Sequence, residues 1–170
     1  MDLPEREAPA DYDPLARRVG KEAPLSAEEN KAVVRRMLDE LFNRGNLDLA
    51  EEIIASDFVE HDPNMPEDLH GPEEFKEYVA AYRSAFPDIH IAVEDQVAEE
   101  EKVATRWTGT GTHEGELSGI APTGIRTTVA GMDISRISGG KIAESWSSYD
   151  MMGLMHQLGV IPSPEEEAQA

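Results

Sequence analysis

Polar side chains that could take part in chemistry are concentrated in one strand-like segment near the end of the sequence, KIAESWSSYD. Successive residues of a strand face opposite sides, so Ser145, Ser147 and Tyr149 share one face. A serine hydroxyl does not remove a proton from carbon near neutral pH without a neighbouring base, because its own pKa is far too high. If this face is turned to a cavity, the three side chains are candidates for ligand binding, and any base has to lie elsewhere.

Asp133 is the strongest candidate for a general acid or base. It interrupts the apolar alternation of the segment AGMDISRI. A carboxylate inside a cavity has a raised pKa, which suits proton transfer near neutral pH. On the same strand the period of two places Ser135 on the face of Asp133, and we expect Ser135 to bind ligand. The alternative is a solvent-facing Asp133 that pairs with Arg106 or Arg136.

Glu60 and His61 close the extended segment DFVEH and are further candidates for ligand binding. Histidine has an unperturbed pKa near neutral, so His61 could hydrogen-bond a ligand at the mouth of a cavity. The alternative for His61 is a loop histidine that bonds to backbone. Asp150, in contrast, directly precedes the helical segment MMGLMHQLG and is expected to cap that helix.

The sequence motifs do not indicate a metal site, a phosphate site or a serine nucleophile. The 5 histidines are scattered, without the close H-E-x-x-H spacing of a zinc site. Neither a glycine-rich phosphate loop nor a G-x-S-x-G elbow is present. We therefore expect no metal and no cofactor.

Helices are predicted in the first half of the sequence. Ser26 opens a capping box, SAEE, ahead of an apolar helical stripe that ends at Phe42. Asn46 is expected to cap a shorter helix. A third helix starts at Gly71-Pro72, where proline fits the first turn.

Strands are predicted from Asp88 onward, where the apolar period changes from about 3.6 to about 2. The segments that alternate like antiparallel strands are IHIAVEDQV, EKVATRWTGTGT, RTTVAGMDISRI and KIAESWSSY. Helices, a meander and a terminal helix predict an α+β domain with N-terminal helices packed on a curved, mostly antiparallel sheet around a pocket. We expect this domain at residues 26–161, with flexible acidic tails at residues 1–25 and 162–170.

The composition argues against several classes of partner. The 170 residues include 35 Asp and Glu against 15 Lys and Arg, a formal net charge of -20, which repels nucleic acid and anionic membranes. No apolar stretch approaches the ~18 residues of a membrane span, and the lack of cysteine excludes disulfides. We expect a cytoplasmic protein. Its acidity is typical of a halophilic host, and equally of an ordinary acidic protein.

Three stretches, THEGELSGIAPTG, MDISRISGGKIAESW and DMMGLMHQLG, resemble the SnoaL-like polyketide cyclases, or ester cyclases, of the NTF2-like superfamily. The resemblance runs from about Asn30 to Gly159. It implies an NTF2-like cone whose deep pocket holds a small, largely apolar, polyketide-like molecule, and a homodimer packed through the sheet. In the cyclases a polycyclic aromatic ester closes a ring by intramolecular aldol condensation, without metal or cofactor, and an aspartate acts as acid and base.

The same resemblance indicates where this chain departs from the family. The family's aspartate falls at Ser147, the histidine before it at Ser145, and a pocket histidine of the preceding strand at Asp133. If acid/base chemistry persists, Asp133 is the expected replacement base, for cyclisation, isomerisation or hydrolysis. The alternative is a non-catalytic NTF2-like module for ligand binding or interaction, because fold alone does not decide function.

Overall fold

The structure is a computed structural model that describes residues 25–162. The tails expected at residues 1–25 and 162–170 lie outside the described residues, apart from Leu25 and Pro162. Within residues 25–162 none of the helices combines the length and the apolar character that a membrane span needs.

The first helix, α1, is Ala27–Met37 and begins at the predicted capping box. Ser26 Oγ accepts a hydrogen bond from the Glu29 backbone N–H at 3.3 Å, and the Glu29 carboxylate accepts one from the Ser26 N–H at 2.8 Å. The helix continues as a π-helical segment, Leu38–Asn43. The apolar stripe is therefore helical over its whole predicted length.

A short second helix follows a 3-10 turn. The turn is Leu47–Leu49, and α2 is Ala50–Ile53. The prediction that Asn46 caps this helix is wrong, because the Asn46 side chain donates to Glu40 Oε2 at 2.6 Å and makes no cap hydrogen bond. The 3-10 turn takes the place that a capped α-helical turn would occupy.

Six strands form one sheet within the described residues. They are β1 Ile54–His61, β2 Leu69–His70, β3 His90–Glu99, β4 Lys102–Thr112, β5 Arg126–Ser138 and β6 Lys141–Tyr149. Their order across the sheet is β2-β1-β6-β5-β4-β3. Two helices flank the meander: α3, Gly71–Ala85, precedes β3, and α4, Met151–Gln157, follows β6. Asp150 caps α4 as predicted, accepting from the Gly153 N–H at 2.7 Å.

The sheet is mixed, because β1 and β6 run parallel while the other neighbouring strands are antiparallel. The mostly antiparallel sheet expected from the sequence is confirmed. The parallel pair and the two-residue β2 were not predicted. In the parallel pair Glu60 lies opposite Ser145, so the pairing brings a carboxylate from the first half of the chain beside the polar segment of β6.

A one-residue bulge changes which side chains β6 buries. Arg136 pairs with Glu144, but Ile137 pairs with Ile142, so Ala143 is an extra residue on β6. A strict period of two puts Ile142 on the side away from the cavity. The structure instead buries Ile142 in the core, with 1% of its surface exposed, because the bulge shifts the alternation.

The helices cover one face of the sheet and leave the other face open. The core between helices and sheet is built from Val34, Met37, Leu38, Leu41, Ala50, Ile53, Ile54, Phe58, Phe75, Val79, Ile91, Val103, Ile137 and Ile142. On the outer face, Met132, Ile134 and Trp146 are 51%, 42% and 36% exposed. Each sheet face therefore carries apolar side chains, but residues 25–162 cover only one of the two faces.

Candidate active site

A cavity opens between the helices and the inner face of the sheet. About 870 Å³ of empty space lies within and in front of it, including space open to solvent at its mouth. Its apolar walls are formed by Met37, Leu38, Phe42, Phe75, Phe86, Ile89, Ile91, Val129 and Leu154. The cavity is thus lined mainly by apolar and aromatic side chains, as small-molecule sites are.

The polar groups of the cavity lie at neighbouring strand positions. Glu60, Asp133, Ser145, Ser147 and Tyr149 all line it. Asp133 on β5 is the direct partner of Ser147 on β6, and Glu60 on β1 is the direct partner of Ser145. The strand order β1-β6-β5 therefore places a carboxylate on each side of the two serines.

Ser147 links the two carboxylates. Its hydroxyl donates to Glu60 Oε1 at 2.5 Å, and its position on β6 lies directly opposite Asp133 on β5. Asp133 Oδ2 accepts from the indole Nε1–H of Trp107 at 2.7 Å. The other oxygen, Oδ1, is buried and has no hydrogen-bond partner within residues 25–162.

Gly131 makes room for the indole that binds Asp133. Trp107 and Gly131 are direct partners on β4 and β5. A Cβ atom at Gly131 would lie 2.2 Å from Trp107 Cζ2, far inside van der Waals contact. Any larger residue at this position would therefore displace the indole and its N–H from the Asp133 carboxylate.

Burial makes both carboxylates poor acids. Burial raises the pKa of Glu60 to about 7; the Ser147 hydrogen bond opposes the rise, and the charge of Asp133 adds to it. Burial likewise raises the pKa of Asp133 to about 6, against hydrogen bonds from Ser147 and Trp107. Both groups can therefore change protonation state near neutral pH, as proton transfer requires.

Three tyrosines line the cavity beside the carboxylates. The hydroxyls of Tyr82 and Tyr149 are 2.9 Å apart, and the rings of Tyr78 and Tyr82 are 4.9 Å apart between centroids. Burial raises the pKa of all three phenols. They therefore remain protonated near neutral pH and can donate hydrogen bonds to a ligand oxygen.

Two of the residues expected to bind ligand do not line this cavity. His61 follows the inward-facing Glu60 and so faces the other side of β1, where it stacks on Trp146 and contacts Asp68 and Glu144 at 2.9 Å and 3.2 Å. Ser135 is 1% exposed and lies in the core, beyond the end of the cavity.

Asp133 does not form the ion pair that was considered as an alternative. Arg136 donates to Glu144 at 3.0 Å on the outer face of the sheet. It lies three residues after Asp133 on β5, and an odd separation along a strand places two side chains on opposite faces. Arg106 is exposed and likewise lies opposite the outward-facing Met132. The charge of Asp133 is therefore balanced by hydrogen bonds rather than by an arginine among the described residues.

Sequence reasoning did not identify Trp107, Tyr78 and Tyr82 as site residues. The two tyrosines belong to the apolar stripe of α3, and their four-residue spacing looks like ordinary core packing. A usable signal was present on the strands, because an aromatic residue opposite a glycine indicates a ring lying over the glycine. No group of three or more His, Asp or Glu in residues 25–162 is arranged to hold a metal ion.

A family model and the curated relatives of this chain point to the same protein family. A family model described as SnoaL-like polyketide cyclase matches residues 32–158. Aklanonic acid methyl ester cyclase DauD from Streptomyces sp. (strain C5) is 32% identical over 143 residues, which cover 78% of this chain and 84% of DauD.

Two solved structures show the same fold. AclR from Streptomyces galilaeus is 29% identical, with a TM-score of 0.73 over 85% of this chain and 89% of AclR. A SnoaL-like protein from Jannaschia sp. CCS1 is 21% identical, with a TM-score of 0.74 over 84% of this chain and 100% of that chain. The predicted NTF2-like α+β fold is confirmed.

Proposed function

Because this chain belongs to the SnoaL-like polyketide cyclase family, we propose that its cavity binds a small, largely apolar, polyketide-like molecule and catalyses acid/base chemistry on it without a cofactor. The reaction class we favour is ring closure of an ester-bearing substrate by intramolecular aldol condensation. DauD is named for a reaction on a polyketide methyl ester, and the same substrate class fits the cavity described above.

The shape and lining of the cavity support a flat, largely apolar ligand. Phe42, Phe75 and Phe86 contribute ring surfaces to its walls, and its polar groups are grouped on the sheet side. Aromatic walls bind fused rings through offset or edge-to-face contacts. A few convergent polar groups in an apolar cavity are typical of small-molecule sites, where they fix the orientation of the ligand.

One observation carries the catalytic part of the proposal. Asp133 Oδ1 is a buried carboxylate oxygen without a partner in the described residues, in a group whose other oxygen is fixed by Trp107. A carboxylate oxygen has two lone pairs, so Oδ1 can take a hydrogen bond from Ser147 and also a proton from a substrate carbon. The raised pKa of Asp133, about 6, makes the group a stronger base than an exposed carboxylate while leaving it ionised at neutral pH.

The position of Asp133 also suits a change of base within the family. By resemblance the family's aspartate corresponds to Ser147, and Asp133 is the direct cross-strand partner of Ser147. Side chains of direct partners on one sheet face lie about 5 Å apart at Cβ. A carboxyl group at Asp133 can therefore act on nearly the same region of the cavity as one at Ser147 would.

A non-catalytic ligand-binding or interaction module is the second candidate. The replacement of the family's aspartate by Ser147 favours it, because the cavity would keep its shape and lose its reactive group. The two candidates agree on binding and differ on turnover.

Both candidates are tested with the methyl ester of aklanonic acid, the compound in DauD's name. Binding is followed by quenching of Trp107 fluorescence in a Trp146→Phe variant, which leaves Trp107 as the reporter because the chain has 2 tryptophans. Turnover is followed by chromatography and mass spectrometry, since ring closure gives an isomer of unchanged mass. Binding with turnover supports the enzyme, binding alone supports the module, and failure to bind contradicts both.

A further inference from the structure

We infer that Ser147 is a proton relay through which Glu60 and Asp133 share a single proton, with Glu60 as the acid and Asp133 as the base of the site. The catalytic part of this inference rests on the proposed function. The shared proton itself is a property of the unliganded protein.

The order of the strands places Ser147 between the two carboxylates. Its strand, β6, has β1 with Glu60 on one side and β5 with Asp133 on the other. The Ser147 hydroxyl donates to Glu60 Oε1 at 2.5 Å, and Ser147 is the direct cross-strand partner of Asp133. A chain of three groups, Glu60, Ser147 and Asp133, therefore crosses three neighbouring strands.

Glu60, Ser147 and Asp133 need one more proton than two ionised carboxylates and one hydroxyl provide if every group is to have a hydrogen-bond partner. A serine hydroxyl has one hydrogen, so Ser147 cannot donate to two ionised carboxylates at once. When Ser147 donates to Glu60, Asp133 Oδ1 is left buried without a partner in the described residues. With one added proton, Glu60 donates to Ser147 Oγ and Ser147 donates to Asp133 Oδ1, so that every group has a partner.

The donors around the pair decide where that proton rests. Trp107 Nε1–H can only donate, so its 2.7 Å contact favours the ionised form of Asp133. The serine hydroxyls beside Glu60, from Ser145 and Ser147, can donate or accept and so tolerate a protonated carboxyl. The resting state is therefore neutral Glu60 and ionised Asp133, in agreement with their pKa values of about 7 and about 6.

Other titratable groups near the pair leave this assignment unchanged. Tyr78 and Tyr82 on α3 and Tyr149 on β6 stay protonated, because burial raises their pKa. Asp62, just after β1, is a further acidic group whose charge raises the pKa of both Glu60 and Asp133. A nearby negative charge favours retention of a proton within the pair.

The arrangement accounts for both proton transfers of an aldol closure. Asp133 removes a proton from a substrate carbon, and that carbon forms a bond to a carbonyl carbon of the same molecule. Glu60 gives its proton to the carbonyl oxygen, which becomes a hydroxyl, so the product is an isomer of the substrate. The pair is then left as neutral Asp133 and ionised Glu60.

Ser147 restores the resting state without bulk water. Asp133 gives its proton to Ser147 Oγ while Ser147 gives its own hydroxyl proton to Glu60, and the cycle is complete. The walls of the cavity are largely apolar, so an internal route is faster than exchange with solvent. Without the hydroxyl, the first turnover can proceed, but the return of the proton has to wait for water.

The first test needs no substrate. Carboxyl ¹³C NMR of the unliganded protein follows Glu60 and Asp133 through a pH titration, with Glu60→Gln and Asp133→Asn to assign the signals. In the wild type we expect two steps separated by more than the single unit between the pKa values of about 7 and about 6, because sharing stabilises the singly protonated pair. Ser147→Ala should bring the steps closer by about one pH unit, and Ser147→Thr, which keeps a hydroxyl, should restore the separation. Unchanged separation in Ser147→Ala overturns the shared proton.

The second test separates the relay from a structural role. The measurement uses an ester that the wild type converts. In Ser147→Ala the rate of the first turnover should be kept while the steady-state kcat falls roughly 10-fold or more. Ser147→Thr should restore kcat. Equal loss in both phases overturns the relay. A wild type that shows the two separated titration steps but turns over no ester contradicts the proposed function and leaves the shared proton standing.

Discussion

Trp107 Nε1 lies 2.7 Å from Asp133 Oδ2 and joins the indole of β4 to the carboxylate of β5. The contact exists because Gly131, the direct partner of Trp107, has no side chain to displace the ring. A fixed N–H donor of this kind favours the ionised form of Asp133 and fixes the orientation of its carboxylate. The protonation state of Asp133 therefore depends on Gly131, two positions earlier on β5, because Gly131 leaves room for the indole that donates to the carboxylate.

Trp107→Phe removes the N–H and keeps most of the ring. A donor to the ionised carboxylate lowers its pKa, so losing the donor raises the pKa of Asp133. The base must be ionised, so the acidic limb of the pH profile of kcat/KM should move to higher pH by about one unit. Trp146→Phe, on the outer face, is the matched control. A limb that does not move would show that the indole does not set the state of Asp133.

Asp133→Asn removes the proposed base and preserves shape. We expect a loss of roughly 10²- to 10⁴-fold in turnover with little change in unfolding temperature. The double variant Asp133→Asn with Ser147→Asp returns a carboxylate to the family's position on β6 and should recover part of the lost rate. Full activity in Asp133→Asn would exclude Asp133 as the base.

Glu60→Gln should stabilise the protein at high pH. The folded pKa of Glu60, about 7, lies above its ordinary value of 4.5, so folding disfavours the ionised form. The contribution of Glu60 to stability is fully present below about pH 4.5 and is lost as pH rises to about 7. At pH 8 the glutamine variant should therefore be more stable than wild type by roughly 1–3 kcal/mol, and at pH 4 it should not be.

Denaturant unfolding at the two pH values measures this difference. Glu94→Gln is a suitable control, because Glu94 is an exposed glutamate on β3 and its replacement should have almost no effect at either pH. A stabilisation that persists unchanged at pH 4 would mean that the effect does not come from the ionisation of Glu60.

A homodimer through the outer sheet face remains a prediction. Met132, Ile134 and Trp146 form an exposed apolar patch on the outer face of the sheet, opposite the cavity. Sedimentation at micromolar concentration should show a dimer, and Ile134→Lys should give a monomer. Met152→Lys, at an exposed apolar residue on α4 rather than on the sheet, should leave the dimer intact. A monomeric wild type would contradict the prediction.

Salt should stabilise the protein. A formal net charge of -20 produces self-repulsion in the folded state, and added salt screens it. The unfolding temperature should rise between dilute buffer and molar KCl, and an osmolarity-matched sucrose series controls for solute exclusion. If both series give the same rise, charge screening is not the cause.

Local patterns in the sequence were sufficient to predict the helices and the strands of the meander. The capping box at Ser26 and the cap at Asp150 depend on residues within three positions, so both were predictable. The parallel pairing of β1 with β6 and the bulge at Ala143 depend on packing between distant segments, and no local pattern indicates them.

The candidate site was predictable where it follows strand alternation. Alternation placed Ser145, Ser147 and Tyr149 on one face, and all three line the cavity with Asp133. It did not determine how far along each strand the cavity extends, and Ser135 lies in the core beyond it. Tyr78 and Tyr82 were missed because an aromatic residue in an apolar helical stripe looks the same whether it packs in a core or lines a cavity.

The parallel pairing of β1 and β6 also sets when the site can form during synthesis. Glu60 and Ser147 are 87 residues apart in the chain. At about 5–20 residues per second, a ribosome needs roughly 4–17 s to add the segment between them. During that interval Glu60 lacks both β6, which later lies beside it, and the Ser147 hydroxyl, which later donates to it. The site is therefore assembled only when β6 inserts between β1 and β5, and a nascent chain stalled before β6 carries both carboxylates but not the serine that lies between them.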